Sequence, residues 1–267
     1  MRLWIALAFC AAAAAQPSTR EMNDIDWMEF RTLVPSSIQT VLVPTGTLEA
    51  HGVINNGADN TAPVAIARAM APKVGAMIAP VVNYGMTGSL DAYHGGFSIS
   101  EKAYRAFMTD VLEGLAKQGF KNIIIVNGHG GPQTAVLTEV AESVGRAHRV
   151  RTLVFNWWAY CSDITLKVFG QDGGHAGDNE TAFIQSINPK LVHKERYTDA
   201  LATPRPAAGT WTAYPFPSPI ILYQAGQGYP KFDQAKADEY FKLVVEKSTK
   251  LVQETIGKWD RAQIFAK

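Results

Sequence analysis

The chain has 267 residues, 47% of them hydrophobic, and a formal net charge of +1 at pH 7. This apolar content can fill a large core, and one domain is the usual outcome for an α/β chain of this length. The sequence has no basic patch and no acidic tail, which argues against a nucleic-acid partner and against an acidic scaffold.

The first residues have the pattern of an export signal. A positively charged start is followed by an apolar run over 3–9, and alanines come directly before Gln16. The apolar run is too short to span a bilayer permanently. We therefore predict a signal peptide over 1–15, a single domain over 16–267, no membrane span, and a periplasmic or secreted protein. A buried N-terminal helix and lipidation of Cys10 are the alternatives.

Strand and helix patterns then alternate along the chain. Short apolar runs that end in turn residues predict strands, and apolar residues at helical spacing predict helices. In chain order, the predicted elements are the strand Thr40–Pro44, the helix Thr61–Val74, the strand Ala76–Val82, the helix Ser98–Gly119, the strand Asn122–Val126, the helix Ala135–His148, the strand Arg151–Phe155, the helix Asn179–Ser186 and the helix Phe232–Lys258. Residues 203–231 are rich in Pro, Gly and aromatic residues and are predicted to be irregular. The alternation predicts an α/β sandwich with a mostly parallel central sheet.

The helix over 98–119 carries the clearest internal signals. Ser98 and Glu101 have the spacing of a capping box at its start. Its apolar stripe is predicted to include Phe107 and Leu112, which would then face the core.

Ligand-type side chains follow two of the predicted strands. Glu49 and His51 come shortly after the first strand, and His129 comes after the central strand that ends at Val126. Because such sheets bind ligands beyond the carboxyl ends of their strands, these side chains are expected to meet at one edge. Glu49 and His51 are two residues apart, so an extended segment would point both the same way.

Asp59 completes a candidate metal set. It either reaches the same sheet edge or caps the helix that follows it. Two carboxylates and two imidazoles at one edge suit a two-metal hydrolytic centre. Gly130, directly after His129, leaves room for ions or substrate.

A third cluster supplies candidate acid–base groups. We predict that His175 moves a proton to the leaving nitrogen and that Asp172 orients it. The alternative is a glycine-rich surface turn that carries a histidine. Glu180 lies on the following helix and either points back at the metals or faces solvent.

Two tryptophans follow the strand Arg151–Phe155 at the same edge of the sheet. Trp157 and Trp158 are predicted substrate-binding residues, since a flat aromatic face can form the floor of a pocket. The alternative is that both are core aromatics.

These motifs resemble those of the creatininase (creatinine amidohydrolase) family. The matching pieces occur in the family's order over residues 38–190. They are Gly46-Thr47-Leu48-Glu49-Ala50-His51-Gly52, Asp59, Asn127-Gly128-His129-Gly130-Gly131 and His175-Ala176-Gly177-Asp178-Asn179-Glu180-Thr181. The resemblance implies a three-layer α/β/α fold, a dinuclear Zn, Mn or Fe centre, hydrolysis of non-peptide C–N amide bonds, and a hexamer. It also implies that Glu49 and His129 hold one metal, that His51 helps to hold the other, and that Asp59 bridges them.

Among several departures from the family's pattern, two bear directly on the metal centre and the substrate. Creatininase has a glutamate two residues after its metal-binding histidine, and this chain has Gly131 there, which leaves Glu180 or water to complete the second metal. Creatininase also has a lid tryptophan directly before the aspartate that matches Asp172, and this chain has Gln171. Both changes predict a substrate other than creatinine.

The sequence therefore predicts a metal-dependent hydrolase. It would cleave a C–N amide bond of a small molecule, cyclic or acyclic, with a hydroxide held between two divalent metal ions. Its expected partners are the amide substrate and further copies of the chain. One alternative is a secreted small-molecule binding protein with degraded catalysis, and another is a lactone or ester hydrolase on the same centre.

Overall fold

The computed structural model describes residues 16–265, so the predicted signal peptide and Cys10 lie outside the described residues. The elements of this range are, in chain order, α1 (Trp27–Leu33), β1 (Thr40–Thr45), α2 (Ala58–Val74), β2 (Ala76–Ile78), α3 (Glu101–Lys117), β3 (Asn122–Asn127), α4 (Pro132–His148), β4 (Arg151–Asn156), α5 (Trp157–Tyr160), α6 (Ser162–Phe169), β5 (Gly174–His175), α7 (Asp178–Ile187), β6 (Ala202–Pro204), β7 (Ile220–Leu222) and α8 (Gln234–Arg261). Across this range, no helix has both the length and the apolar character that a bilayer span requires.

The central sheet is parallel and has the strand order β2-β1-β3-β4. β1 and β3 are paired along their whole lengths, from Thr40 opposite Asn122 to Thr45 opposite Asn127. The two strands therefore end side by side. The segments that follow them leave the sheet at the same edge, as the sequence predicted.

Side chains of the central strands alternate between two hydrophobic cores. Leu42 packs into the core that contains residues of α2, α6, α7 and α8. Its neighbours Val41 and Val43 pack into the core that contains residues of α3 and α4. β3 shows the same alternation, and its strand is apolar throughout because both of its faces are covered. The predicted three-layer α/β/α sandwich is confirmed.

The details of α3 differ from the prediction. Its N-cap is Ser100, whose Oγ accepts a hydrogen bond from Ala103 N at 3.2 Å, and the predicted cap at Ser98 is wrong. Phe107 is 51% exposed, so its predicted place in the apolar stripe is also wrong. The buried face follows the spacing of four, four and three residues through Tyr104, Met108, Leu112 and Leu115. Phe107 does not lie on this buried face.

Two other boundaries matter for function. α2 begins at Ala58, with Gly57 as its N-cap, so Asp59 lies inside the first turn and the alternative capping role is wrong. β2 is shorter than predicted and ends at Ile78, although Val82 still forms an isolated bridge with Thr45.

A second, smaller sheet forms from segments with weak sequence signals. Its strand order is β5-β7-β6, in which β7 pairs antiparallel with β5 and parallel with β6. β6 overlaps the start of the stretch 203–231 that was predicted to be irregular and β7 lies inside it, and most of the rest of that stretch is irregular. The pairing of β5 with β7 fixes the backbone of His175.

Two glycines allow α2 to approach the edge of the central sheet. A Cβ placed on Gly46 would lie 2.2 Å from the carbonyl oxygen of Asp59, and one on Gly128 would lie 1.9 Å from the same atom. Both distances are far inside van der Waals contact. The backbone of Asp59 is therefore packed between the residues that directly follow β1 and β3.

This packing predicts opposite effects for two glycine substitutions. Gly128→Ala should lower the free energy of unfolding by about 1–3 kcal/mol, because the added methyl group must displace the start of α2. Gly114→Ala is the matched control, since a Cβ there meets nothing within 4 Å. Because Gly114 lies within α3, three residues before its end, Gly114→Ala should raise the free energy of unfolding by about 0.5–1 kcal/mol. Urea unfolding of the metal-free proteins measures both changes, and a wild-type midpoint for Gly128→Ala would contradict the packing interpretation.

Candidate metal centre

Six side chains with metal-ligand atoms meet beyond the ends of β1 and β3. They are called the ligand cluster and are Glu49, His51, Asp59, His129, His175 and Glu180. All of the sequence-predicted metal ligands are among them. His175, predicted as an acid–base group, joins the same cluster.

Asp59 lies between two imidazoles. Its Oδ1 is 2.9 Å from His51 Nε2, and its Oδ2 is 2.7 Å from His129 Nδ1. Each carboxylate oxygen therefore faces a different ring. This is the arrangement of a carboxylate that can bridge two cations, one on each oxygen.

Glu49 approaches the same ring nitrogen of His129 as Asp59 does. Its Oε1 is 3.2 Å from His129 Nδ1 and 3.3 Å from His175 Nδ1. Its Oε2 is buried and has no hydrogen-bond partner among the described residues. A buried carboxylate oxygen without a partner is costly, and a bound cation would satisfy it.

The main chain orients all three histidine rings. In each ring, one nitrogen bonds to a backbone carbonyl oxygen, which makes that nitrogen the N–H donor and leaves the other nitrogen facing the cluster. The three bonds are His51 Nδ1 to Glu49 O (3.1 Å), His129 Nε2 to Met86 O (3.0 Å) and His175 Nε2 to Ala50 O (2.7 Å). Histidines that bind metals in proteins are usually held by this kind of contact.

The electrostatics of the cluster favour positive charge. Burial alone would lower the pKa of His51, but the carboxylates of Asp59, Glu49 and Glu180 outweigh it and raise this pKa to about 10. Burial also opposes protonation of His129, and Glu49 and Asp59 raise its pKa well above the ordinary value. Burial would raise the pKa of Asp59, whereas the two histidines hold it well below its usual range. Divalent cations would supply the charge that the carboxylates attract here.

His175 and Glu180 differ from the other members of the cluster. Burial and the neighbouring charge of His51 lower the pKa of His175 to about 4, so its ring is neutral near pH 7. Burial raises the pKa of Glu180 to about 7. Glu180 Oε2 accepts a hydrogen bond from Ala176 N at 2.7 Å and lies 3.8 Å from His51 Nε2. Glu180 therefore points at the cluster, and the alternative that it faces solvent is wrong.

The cluster divides into two sets of possible ligands that share Glu49. One set adds Asp59 and His129, and the other adds His51 and His175. The first set contains the residues that the family resemblance assigns to one metal. A Cβ on Gly131, where the sequence departs from the family's pattern, would meet nothing within 4 Å.

Asp172 does not have the predicted relation to His175. The His175 ring is held by the carbonyl oxygen of Ala50, whereas Asp172 Oδ1 accepts a hydrogen bond from Gly173 N at 2.9 Å. The prediction that Asp172 orients His175 is wrong, because the carboxylate stabilises the turn of its own loop. Asp172 still lines the cavity above the cluster.

A cavity of about 550 Å³ opens over the ligand cluster. Gly130 and Trp158 line it, as predicted. Trp157 does not line it: its side chain is 2% exposed and packs against Phe183, with ring centroids 4.5 Å apart. Consecutive residues of α5 point about 100° apart, so only one of the two tryptophans can face the cavity. The substrate-binding prediction for Trp157 is therefore wrong.

The sequence analysis missed part of the cavity wall. Ser89 and Leu90 line it from the loop before α3, and Arg205 and Tyr223 line it from the stretch predicted to be irregular. None of these residues belongs to a recognisable motif. The available signal was the length of that stretch, because long structureless segments inside compact domains are often functional.

Hydrogen bonds tie these two parts of the wall together. Phe216 N donates to Ser89 O at 3.1 Å, and Tyr93 Oη donates to Phe216 O at 2.8 Å. Tyr214 Oη donates to Asp91 Oδ1 at 2.8 Å. Residues 214–216 are therefore attached to the 88–93 loop, and we call these two segments the rim.

Comparison with known proteins places this geometry in a family. The sequence pattern of the creatininase family, described as creatinine amidohydrolase, matches residues 23–252. Creatinine amidohydrolase of Pseudomonas putida is 21% identical over 196 residues, which cover 67% of this chain and 75% of the relative. Mycofactocin precursor peptide peptidase of Mycobacterium ulcerans is 27% identical over 183 residues, which cover 64% of this chain and 67% of the relative.

Solved structures agree with the sequence comparison. A manganese form of creatininase superposes with a TM-score of 0.77 at 20% identity and covers 89% of this chain and 98% of its own. A Zn-Zn type creatininase mutant superposes with a TM-score of 0.75 at 19% identity, with the same two coverages of 89% and 98%. These likenesses show the fold, and the sequence match over most of the chain shows the relationship. The chain belongs to the creatininase family.

Proposed function

We propose that this protein is a metal-dependent amidohydrolase that cleaves the C–N amide bond of a small molecule at the ligand cluster. The observation that carries the proposal is the position of Asp59, with one carboxylate oxygen toward His51 and the other toward His129. Membership of the creatininase family makes the chain a hydrolase. Creatininase structures exist in Zn-Zn and Mn forms, which supports divalent metal ions as the cofactors here.

The residues present fit two such ions. Glu49 and His129 would hold one ion, His51 and Glu180 would hold the other, and Asp59 would contribute one oxygen to each. The fit rests on the unpartnered Oε2 of Glu49 and on the ring nitrogens that face the cluster. The chemistry that two bound Zn, Mn or Fe ions supply is a lower pKa for water and polarisation of the amide carbonyl.

His175 is suited to move the proton. Its Nε2 carries the hydrogen that bonds to Ala50 O, so Nδ1 is the nitrogen that exchanges protons on the side of the cluster. Its Nδ1 lies 3.3 Å from Glu49 Oε1, which supports a position next to the proposed metal centre. Nδ1 can accept the proton that the attacking water loses and pass it to the leaving nitrogen. Trp158 and Gly130 offer a flat face and free space for the substrate.

A substrate panel tests the reaction class directly. The metal-loaded protein should hydrolyse members of a panel of lactams, formamides and short peptides, and matched lactones and esters show whether amides are preferred. Metal content measured on the same sample links activity to the centre. A protein that binds metal and cleaves none of these compounds contradicts the proposal and favours a binding function.

The position of Asp59 predicts a coupled loss of metal. Asp59→Ala should remove both ions, because the bridging carboxylate serves both. Elemental analysis of purified protein measures the effect. Asp172→Asn is the matched control: it changes a carboxylate that lines the same cavity outside the cluster, and it should keep both ions. An Asp59→Ala protein that retains two metals shows that Asp59 is not the bridge.

The role of His175 predicts a loss of rate without a loss of metal. His175→Ala should lower kcat by ~100-fold or more, the usual scale for a lost general acid–base group. The exposed His94 is the control, and His94→Ala should leave kcat unchanged. If His175→Ala loses metal together with activity, His175 is a ligand. If its rate matches the wild type, His175 takes no part in catalysis.

The cavity also predicts that creatinine is a poor substrate. Gln171 Nε2 donates to Asp178 Oδ2 at 3.0 Å and places no aromatic face over the cavity, and the space beside Gly131 is open. A missing stacking partner costs on the order of 1 kcal/mol beyond area burial. Gln171→Trp should raise kcat/KM for creatinine, whereas Gln171→Leu should not. A wild-type kcat/KM of roughly 10⁴ M⁻¹ s⁻¹ or more with creatinine, the ordinary enzyme range, would contradict this account.

A further inference from the structure

The cavity contains one basic side chain of fixed charge. Among the lysines and arginines of the described residues, Arg205 alone lines it. The carboxylates that line it are Glu49, Asp59, Asp172 and Glu180. Three of these four belong to the ligand cluster, where bound cations would offset their charge. The fourth, Asp172, forms no ion pair with Arg205, and Arg205 lines a space large enough for a small molecule.

The backbone holds Arg205 at a definite distance from the cluster. Arg205 follows β6 directly, and its N–H donates to Leu222 O at 2.8 Å. β7 lies between β6 and β5, and β5 carries His175. Two strand spacings correspond to roughly 10 Å. The backbone of Arg205 therefore lies roughly 10 Å from the strand that carries His175, about the length of a small molecule.

Arg205 takes part in none of the ion pairs among residues 16–265. Other arginines of the chain do have partners: Arg68 pairs with Glu21, and Arg151 pairs with Asp260. Arg205 is exposed. A guanidinium has five N–H donors in a planar fork that matches a carboxylate.

The start of α4 faces the same cavity. Gly131 and Pro132 line it, and no side chain caps this helix. The first turn of a helix favours negative charge through its exposed N–H groups. This feature adds to the charge of Arg205, and both make the cavity suited to an anionic group away from the metals.

We propose that Arg205 is a specificity residue that binds a carboxylate of the substrate remote from the scissile amide. The substrate class is then amides that carry a carboxylate, such as N-acyl amino acids and short peptides. The identity of the scissile bond rests on the proposed amidohydrolase function. The carboxylate site itself rests on the position and the unpaired charge of Arg205.

Paired ligands test this site by binding as well as by activity. Each pair consists of an N-acyl amino acid and the N-acyl amine that lacks only its carboxylate, for example N-benzoylglycine and N-methylbenzamide. Affinities are measured by calorimetry or ligand-observed NMR on the metal-loaded wild type, Arg205→Gln, Arg205→Lys and the control Arg196→Gln. Arg196 is exposed and lies outside the cavity.

The wild type and Arg196→Gln should bind the carboxylate member about ten-fold more tightly, the scale of one hydrogen bond to a charged group. Arg205→Gln should lose this preference while its affinity for the neutral member stays unchanged, and Arg205→Lys should keep part of it. For pairs that are hydrolysed, the loss should appear in KM and not in kcat.

Two results would overturn the proposal. One is equal affinity for both members of every pair in the wild type, including no binding by either. The other is a preference that survives Arg205→Gln, which would place the carboxylate on the metals. A preference that depends on Arg205 without hydrolysis of any amide would support the carboxylate site and contradict the proposed function.

Discussion

The contact that organises this molecule is the packing of the Asp59 backbone between Gly46 and Gly128. Each glycine directly follows a central strand, and the register of β1 with β3 places the two glycines side by side. The first turn of α2 can then enter the sheet edge and deliver a carboxylate between two histidines. Burying that ionised carboxylate would cost several kcal/mol without partners, and the two imidazoles offset the cost.

Much of the fold could be predicted from the sequence for a simple reason. Strands covered on both faces are mostly apolar, so β1 and β3 were found within one residue of their ends. Parallel strands end at one edge, so the meeting of Glu49, His51 and His129 also followed. The direction in which each helix residue points was harder to predict. It decides that Trp158 lines the cavity and Trp157 does not, and it leaves Phe107 exposed.

Other features depended on contacts that a sequence pattern does not contain. The ring of His175 is oriented by the carbonyl oxygen of Ala50, which lies 125 positions away in the chain. Every residue has such a carbonyl, so no residue type signals it. Arg205 was missed for a related reason, because its place in the wall comes from the pairing of β6 with β7 within an otherwise irregular stretch.

The backbone contacts of the histidines also make the orientation of each ring independent of the neighbouring side chains. Each ring is fixed by a backbone oxygen, so substitutions of neighbouring side chains leave the tautomers of the cluster in place. The geometry of the cluster then depends on the path of the backbone. That path is set by the strand ends and by the small sheet that contains β5.

The rim is held together by other contacts than the ligand cluster. Its two segments lie more than 120 positions apart in the chain, and they are joined by Phe216 N to Ser89 O and by Tyr93 Oη to Phe216 O. Neither segment contributes a member of the ligand cluster. The loop between β6 and β7 can therefore be exchanged or lengthened while β7 still pairs with β5 and the ligand cluster keeps its place. The architecture therefore separates the rim from the ligand cluster, so that changes in the rim would alter the wall of the cavity without replacing any of the metal-ligand side chains.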